Sequence, residues 1–172
     1  GRMTVNAGRS ASLGAETNIR AIITNAFCIN ASYGYTHATF KDYIGQIKNR
    51  QQQIVSVDYK DNYVPMIPQN TFSLGGEYAF TFQSCFISKL VFNAQYNGIG
   101  KIYWTESNDL TQKYYGLLNG KIGITMNKVQ VDFWGRNLTD KSYATFGFVS
   151  GSSTFMQKGR PMQAGVDLRY RF

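Results

Sequence analysis

The sequence is poor in charge, in proline and in cysteine, and each shortage excludes a class of protein. Charged residues make up 16% of the 172 residues, and there are three prolines, while Tyr, Phe and Trp supply 15%. Intrinsic disorder is excluded, because a chain with many aromatic and few charged residues can bury enough apolar surface to fold. The length is that of one domain.

Long apolar runs are also missing. No run approaches the roughly 18 residues that a membrane-spanning helix requires, because Asn, Gly, Lys or Gln interrupts every apolar stretch. We therefore exclude a helical membrane protein. The segment from Gly1 to Asn6 has no apolar core followed by a cleavage site. We expect any export signal to have been removed or to lie upstream, and the chain to be cut from a longer one.

The two cysteines and the single histidine are too few for a disulfide scaffold or a metal site. Cys28 and Cys85 leave three alternatives, a free pair, one bridge or two isolated apolar residues, and we favour the unpaired state. His37 has no second ligand at metal spacing and no catalytic partner, so we predict neither a metal site nor an enzyme. The net charge of +8 suits nucleic acid, anionic lipid or an acidic ligand, and charge alone does not choose among them.

Alternation with a period of two is the strongest regularity. From Thr71 to Phe82 apolar residues occupy alternate positions, and the positions between them are mostly polar. Successive side chains of a strand point to opposite faces, so the segment predicts a strand with one apolar and one polar face. Six further segments alternate in this way, near residues 12–20, 29–36, 90–97, 118–126, 129–136 and 164–172. We predict an all-β protein of about seven strands.

The connections between these strands alternate in length. Short ones fall near 22–26, 82–86 and 126–128, and long polar ones cover 41–69, 105–113 and 141–160. Strands joined alternately by tight turns and long loops form an antiparallel up-and-down meander. We expect one plain rim and one elaborate rim.

Two architectures with such strands differ in where the apolar face points. A soluble sandwich buries that face, whereas an outer-membrane barrel turns it to lipid, with aromatic residues near the strand ends and a polar interior. Here the apolar faces are long and rich in Tyr and Phe near their ends. The opposite faces carry Glu16, Arg20, Glu77, Lys121, Asp132, Arg136, Asp167, Arg169 and Arg171. This pattern favours part of a transmembrane β-barrel.

One motif in three pieces carries a family resemblance. Residues 132–143 read DFWGRNLTDKSY, Gly159-Arg160-Pro161 follow, and a last alternating strand ends in Tyr170-Arg171-Phe172. In this order the pieces resemble the C-terminal end of TonB-dependent outer-membrane receptors. Earlier segments fit the same family less specifically, so the resemblance covers essentially the whole chain.

The resemblance implies a larger protein. Receptors of this family have a barrel of about 22 strands with a plug inside it, and residues 1–172 look like the C-terminal barrel segment without the plug domain. The implied function is TonB-energised import of a scarce nutrient, such as an iron chelate, cobalamin or an oligosaccharide, across the bacterial outer membrane. The implied partners are outer-membrane lipid, the barrel assembly machinery, the plug and TonB; neither a cofactor nor nucleic acid is expected.

Two other protein classes stay open. Single-chain bacterial barrels have even strand numbers from 8 upward, so seven strands either belong to a fragment or lack an eighth strand in 1–9 or 41–69. We favour the fragment. The alternatives are a complete eight-stranded barrel with an adhesive or structural role, and a soluble β-sheet module that binds carbohydrate or an acidic partner.

The candidate site residues lie in the long loops and at the end of the chain. With Phe172 at the periplasmic rim, the long loops face the outside of the cell and carry aromatic residues suited to ligand contact. These are Tyr59, Tyr63, Trp104, Tyr114, Tyr115 and Phe148. For most of them we favour an ordinary aromatic girdle over ligand contact. Tyr170 and Phe172 end a strand that resembles the signal read by the barrel assembly machinery. We expect the inward charges to pair mainly with one another; gripping a plug or guiding an anionic ligand is the alternative.

Overall fold

The computed structural model describes residues 8–49, 51, 53–83 and 86–172, and all regular secondary structure within them is β. The thirteen strands are β1 (Arg9–Ile22), β2 (Phe27–Asp42), β3 (Ile44–Lys48), β4 (Ile54–Asp58), β5 (Asn70–Thr81), β6 (Lys89–Ile99), β7 (Ile102–Tyr103), β8 (Thr111–Gln112), β9 (Tyr115–Met126), β10 (Val129–Arg136), β11 (Ala144–Ser150), β12 (Ser153–Lys158) and β13 (Gln163–Tyr170). In the part of the chain so described, no helix is long and apolar enough to cross a membrane.

Seven long strands form one antiparallel sheet, in the order β1–β2–β5–β6–β9–β10–β13. Each strand pairs with the next long strand along the chain, so the predicted seven-stranded meander is confirmed. β1 and β13 are the two edges, and the sheet is open across the described residues. The alternative of an eighth strand within 41–69 is not supported, because β3 and β4 pair with each other and do not join the sheet. Most of the segment 1–9 lies outside the described residues.

The register keeps the apolar and polar side chains on separate faces. Along one line across the sheet, Tyr78 lies opposite Phe92, and Phe92 lies opposite Ile122. The adjacent line pairs Glu77 with Asn93 and Asn93 with Lys121. A shift of one residue would exchange the two faces, so the alternation of the sequence fixes this register.

The apolar face of the sheet is exposed, and the buried apolar residues lie at one end of it. Leu13 is 75% exposed and Leu168 is 73% exposed. The buried apolar residues are Ala38, Phe40, Ile102, Trp104, Tyr115 and Ala144, which belong to the long connections and to the strand ends beside them. A soluble sandwich would bury the sheet's apolar face, so this distribution argues against that alternative.

Each of the three long connections folds back as a hairpin. The pairs are β3 with β4, β7 with β8, and β11 with β12. We call residues 43–69, 100–114 and 137–162 together the loop layer. Hydrogen bonds join its parts: the Met66 N–H donates to the Tyr103 carbonyl at 2.8 Å, and the Ala144 N–H donates to Gln112 Oε1 at 2.8 Å. The long connections therefore form one structure instead of three separate loops.

The motif at 132–143 joins the piece that follows it at the base of the third connection. Asn137 is 4% exposed, and its Nδ2 donates to the carbonyl oxygens of Lys141 and Arg160, both at 3.1 Å. Its Oδ1 accepts the Lys141 N–H at 2.8 Å. The Met162 N–H donates to Asp140 Oδ1 at 2.8 Å. We call this set of contacts the Asn137 clasp. The motif residues thus hold both ends of the loop against the sheet.

The inward charges do not form the mutually paired network that we expected. Among the described residues the only ion pair joins Lys121 Nζ to Asp132 Oδ2, at 3.9 Å. Asp132 is buried and accepts two hydrogen bonds from Gln130 Nε2, at 3.0 and 3.1 Å. Of the other charged side chains on this face, Arg136 stacks over the Trp134 ring, with its Cζ 5.3 Å from the ring centroid. Of the two cysteines predicted to be unpaired, Cys85 lies outside the described residues, and Cys28 is half-buried near the start of β2.

Candidate ligand cavity in the loop layer

A cavity of about 460 Å³ lies in the loop layer, a size within the usual range of ligand pockets. All three long connections contribute to its wall. It is lined by Ile47, Tyr59, Pro65, Met66, Trp104, Thr105, Glu106, Ser107, Asp109, Gly147, Phe148 and Val149. The lining therefore combines an apolar part, from the first and third connections, with a polar part from the second.

The apolar part is held by stacked rings and by a fixed backbone. The ring of Phe148 stacks on that of Phe155 across the β11–β12 hairpin, with centroids 5.0 Å apart. Met66 has a φ of 66°, which is rare for a residue with a side chain, and its N–H bond to Tyr103 holds it there. These contacts give the cavity an apolar wall before any ligand is present.

The polar part is a compact turn with two carboxylates. Thr105 Oγ1 donates to Asp109 Oδ1 at 2.6 Å, and the Asn108 N–H donates to the Thr105 carbonyl at 3.1 Å. The Thr105 hydrogen bond lowers the pKa of Asp109 below its usual 3.8, so this carboxylate is charged at neutral pH. Burial, followed by the charge of Glu106, raises the pKa of Tyr59. No Lys or Arg among the described residues forms an ion pair with either carboxylate.

Trp104 has a buried donor without an acceptor. The side chain is 6% exposed and packs with Ile102 and Ala144. Its indole Nε1 has no hydrogen-bond partner among the described residues. A Cβ at Gly147 would stand 3.1 Å from Cδ1, the atom bonded to Nε1, and 2.5 Å from the Met156 Sδ, so the glycine makes room for Met156 beside this edge of the ring. Buried polar groups are nearly always hydrogen-bonded, so an unpaired one in a cavity wall calls for an explanation.

The structure brings together half of the six aromatic residues predicted for ligand contact. Tyr59, Trp104 and Phe148 line the cavity. The other three make contacts elsewhere. Tyr63 stacks on Tyr103 at 5.1 Å and meets the His37 ring edge-on at 5.3 Å; the Tyr114 hydroxyl lies 2.8 Å from that of Tyr96; and Tyr115 stacks on Tyr143 at 4.5 Å.

Sequence reasoning missed the carboxylates of the cavity. Glu106 and Asp109 stand in the polar run between Trp104 and Leu110, and the Thr105–Asp109 spacing was the signal that could have found them. At the end of the chain, the Tyr170 ring meets that of Phe172 edge-on at 5.2 Å, and both residues are exposed. In the described residues, no group of three His, Cys, Asp or Glu side chains could hold a metal ion.

Comparison with known proteins decides the family. The family model described as TonB dependent receptor-like, beta-barrel matches residues 2–138. The chain belongs to this family. The predicted resemblance is thereby confirmed, and the open sheet is a segment of a TonB-dependent receptor barrel.

Solved structures of such receptors share the fold. The ferric yersiniabactin uptake receptor FyuA from Yersinia pestis matches with a TM-score of 0.81 at 21% identity, over 97% of this chain and 24% of that one. The siderophore receptor PiuA from Acinetobacter baumannii matches with 0.74 at 21% identity, over 94% and 22%. The ferripyoverdine receptor of the outer membrane of Pseudomonas aeruginosa matches with 0.62 at 17% identity, over 94% and 19%. The chain therefore spans about a quarter or less of each receptor's length.

Proposed function

We propose that this chain is part of a TonB-dependent receptor that imports an iron chelate across the bacterial outer membrane. The observation that carries the proposal is the loop-layer cavity, to which all three long connections contribute. The similar receptors whose names give a ligand are named for ferric or siderophore ligands, which favours an iron chelate over cobalamin or an oligosaccharide. We further infer that residues 1–172 form the C-terminal barrel segment, because the clasp motif and last strand resemble that region.

In this proposal the apolar face of the sheet contacts lipid. Exposed Phe, Tyr, Leu and Ile side chains cover it, and they gain free energy only where water is replaced by an apolar medium. The short turns would face the periplasm and the loop layer would face the outside of the cell. Tyr170 and Phe172 would then lie at the periplasmic rim, where the barrel assembly machinery would pair β13 with a strand of its own.

The residues of this chain would perform the first step, ligand capture, and form part of the wall along which the ligand passes. On the polar face, a recess of about 480 Å³ is lined by amide and charged side chains, including Asn93, Gln95, Asn119, Lys121 and Arg136. Such side chains offer hydrogen bonds to a plug domain and to a hydrated ligand. The plug and the contact with TonB would come from the rest of the polypeptide.

Gene-dependent iron uptake tests the proposal. Iron-starved cells with and without the gene would be supplied with ⁵⁵Fe bound to the chelators of their own spent medium. We expect deletion to abolish the uptake of at least one chelate, complementation to restore it, and a protonophore to stop it. Uptake that is unchanged by deletion for every chelate in the medium would refute the assignment to iron import.

A further inference from the structure

We propose that the loop-layer cavity selects an iron chelate with a positively charged group, which sits against Glu106 and Asp109 while a chelate oxygen accepts the Trp104 indole N–H. This inference rests on the proposed function and adds the charge class of the substrate. Three observations carry it: within the described part of the chain, two carboxylates have no cation and a buried donor has no acceptor, and an apolar wall lines the same cavity.

The sign of the charge is set by the lining of the cavity. Among the residues that the structure describes, no Lys or Arg lines it, although basic residues outnumber acidic ones by 18 to 10 in the chain. Asp109 is held in its charged form by the Thr105 hydroxyl, and Glu106 lies beside Tyr59, whose pKa its charge helps to raise. A carboxylate brought into this cavity would be repelled, and an ammonium or guanidinium would be attracted.

The unpaired indole N–H fixes a second point of contact. Trp104 is buried, and the pyrrole edge of its ring lies beside Gly147, against which the Met156 thioether packs. The indole N–H can only donate a hydrogen bond, so its partner must be an acceptor such as a hydroxamate, catecholate or carbonyl oxygen. Rotation of the flexible Met156 side chain away from Gly147 would let that oxygen reach Nε1. Two contacts of opposite kind orient the chelate in one direction against Met66 and Phe148.

Binding of chelates that differ only in charge tests the inference. The full polypeptide that the gene encodes would be purified in detergent and titrated with ⁵⁵Fe-labelled ferrioxamine B, which has a free ammonium. Its N-acetyl form is neutral, and its N-succinyl form has a carboxylate. A synthetic tris-catechol amide with the same three pendant groups provides a second core.

We expect the ammonium form of at least one core to bind about fivefold more tightly than the neutral form, and the carboxylate form to bind more weakly than both. The double variant Glu106→Gln, Asp109→Asn should bring the three forms within about twofold, since Asn keeps an acceptor for Thr105. Trp104→Phe should weaken all three forms alike, by up to about tenfold, because it removes one hydrogen bond and no charge. Glu77→Gln, which neutralises one carboxylate on the sheet, is the control.

Other outcomes overturn the inference. These are tighter binding of the carboxylate form, an equal effect of Glu77→Gln, a Trp104→Phe effect confined to one charge form, and no binding of any of the chelates. A heat-modifiable band on gels confirms that each variant is folded. Gene-dependent ⁵⁵Fe uptake with the charge order reversed would overturn this inference and leave the proposed function standing. Absence of gene-dependent uptake would overturn both.

Discussion

Replacement of Asn137 by alanine should destabilise the receptor segment more than its position at the start of a loop suggests. The side chain makes three hydrogen bonds in a buried site, each worth about 1 kcal/mol. Asn137 also has a φ of 49°, where alanine costs roughly 1 kcal/mol more, because it lacks the short polar side chain whose local hydrogen bonds let Asn adopt the left-handed conformation. The sum is about 4 kcal/mol in the free energy of unfolding.

Two further variants separate these contributions. Asn137→Gly removes the three hydrogen bonds and relaxes the backbone, so it should cost about 3 kcal/mol. Asn127, in the short turn between β9 and β10, has a φ of 48° and is exposed, so Asn127→Ala should cost only the backbone part, about 1 kcal/mol.

Urea unfolding of the full polypeptide in lipid vesicles, followed by the heat-modifiable gel band, gives the shift of the midpoint for each variant. A midpoint for Asn137→Ala no lower than that for Asn127→Ala would refute the argument, because the clasp would then contribute nothing beyond its backbone conformation.

Three more predictions follow from the sheet, the clasp and the cavity. Phe92→Arg places a charge on the apolar face at mid-strand and should lower the free energy of unfolding by about 2–4 kcal/mol or prevent assembly. Asn93→Arg, one residue along on the polar face, should leave the yield of heat-modifiable protein unchanged. Equal yields of the two variants would contradict the lipid-facing assignment. Gly159→Val should abolish the folded band, because even a Cβ there would overlap the tyrosine ring beneath it; a normal yield would contradict that packing. Because the pKa of Asp109 is lowered in the folded protein, its charged carboxylate stabilises the loop layer at pH values above the usual pKa of 3.8. This stabilisation is lost as the pH falls through the lowered pKa. Thr105→Val should therefore raise the carboxylate pKa measured by infrared titration, and an unchanged pKa would contradict the role of the hydroxyl.

The sheet could be predicted from the sequence because one physical rule governs it throughout. Alternation places Phe72, Phe80 and Phe92 on one face, and the short turns leave no choice of partner for each strand. The three hairpins of the loop layer were not predicted. β7 and β8 have two residues each, which is too short for any periodic pattern. β11 and β12 did offer a signal, because Gly151, with a φ of 62°, stands between two segments rich in Thr and Phe.

The cavity could be predicted only in part, because its wall depends on how three separate connections pack. Aromatic content pointed to Tyr59, Trp104 and Phe148, which meet there. The same criterion also selected Tyr114 and Tyr115, whose partners Tyr96 and Tyr143 are determined by strand register and by the clasp. Distances between residues so far apart in the chain are not encoded in local pattern. The sequence could therefore indicate that aromatic residues form the site, but not which of them line the cavity.

Because of the Asn137 clasp, the stability of the sheet does not depend on the sequence at the tip of the third connection. One amide group holds both the start and the return of the third connection, at Lys141 and Arg160. Doubling the length of a flexible loop costs only about 0.6 kcal/mol in closure entropy once its ends are held. The tip of the β11–β12 hairpin, residues 150–153, can therefore be exchanged without loss of the clasp. A foreign peptide grafted there, or a library of lengths and sequences, would change the surface of the loop layer while the sheet beneath it keeps its register.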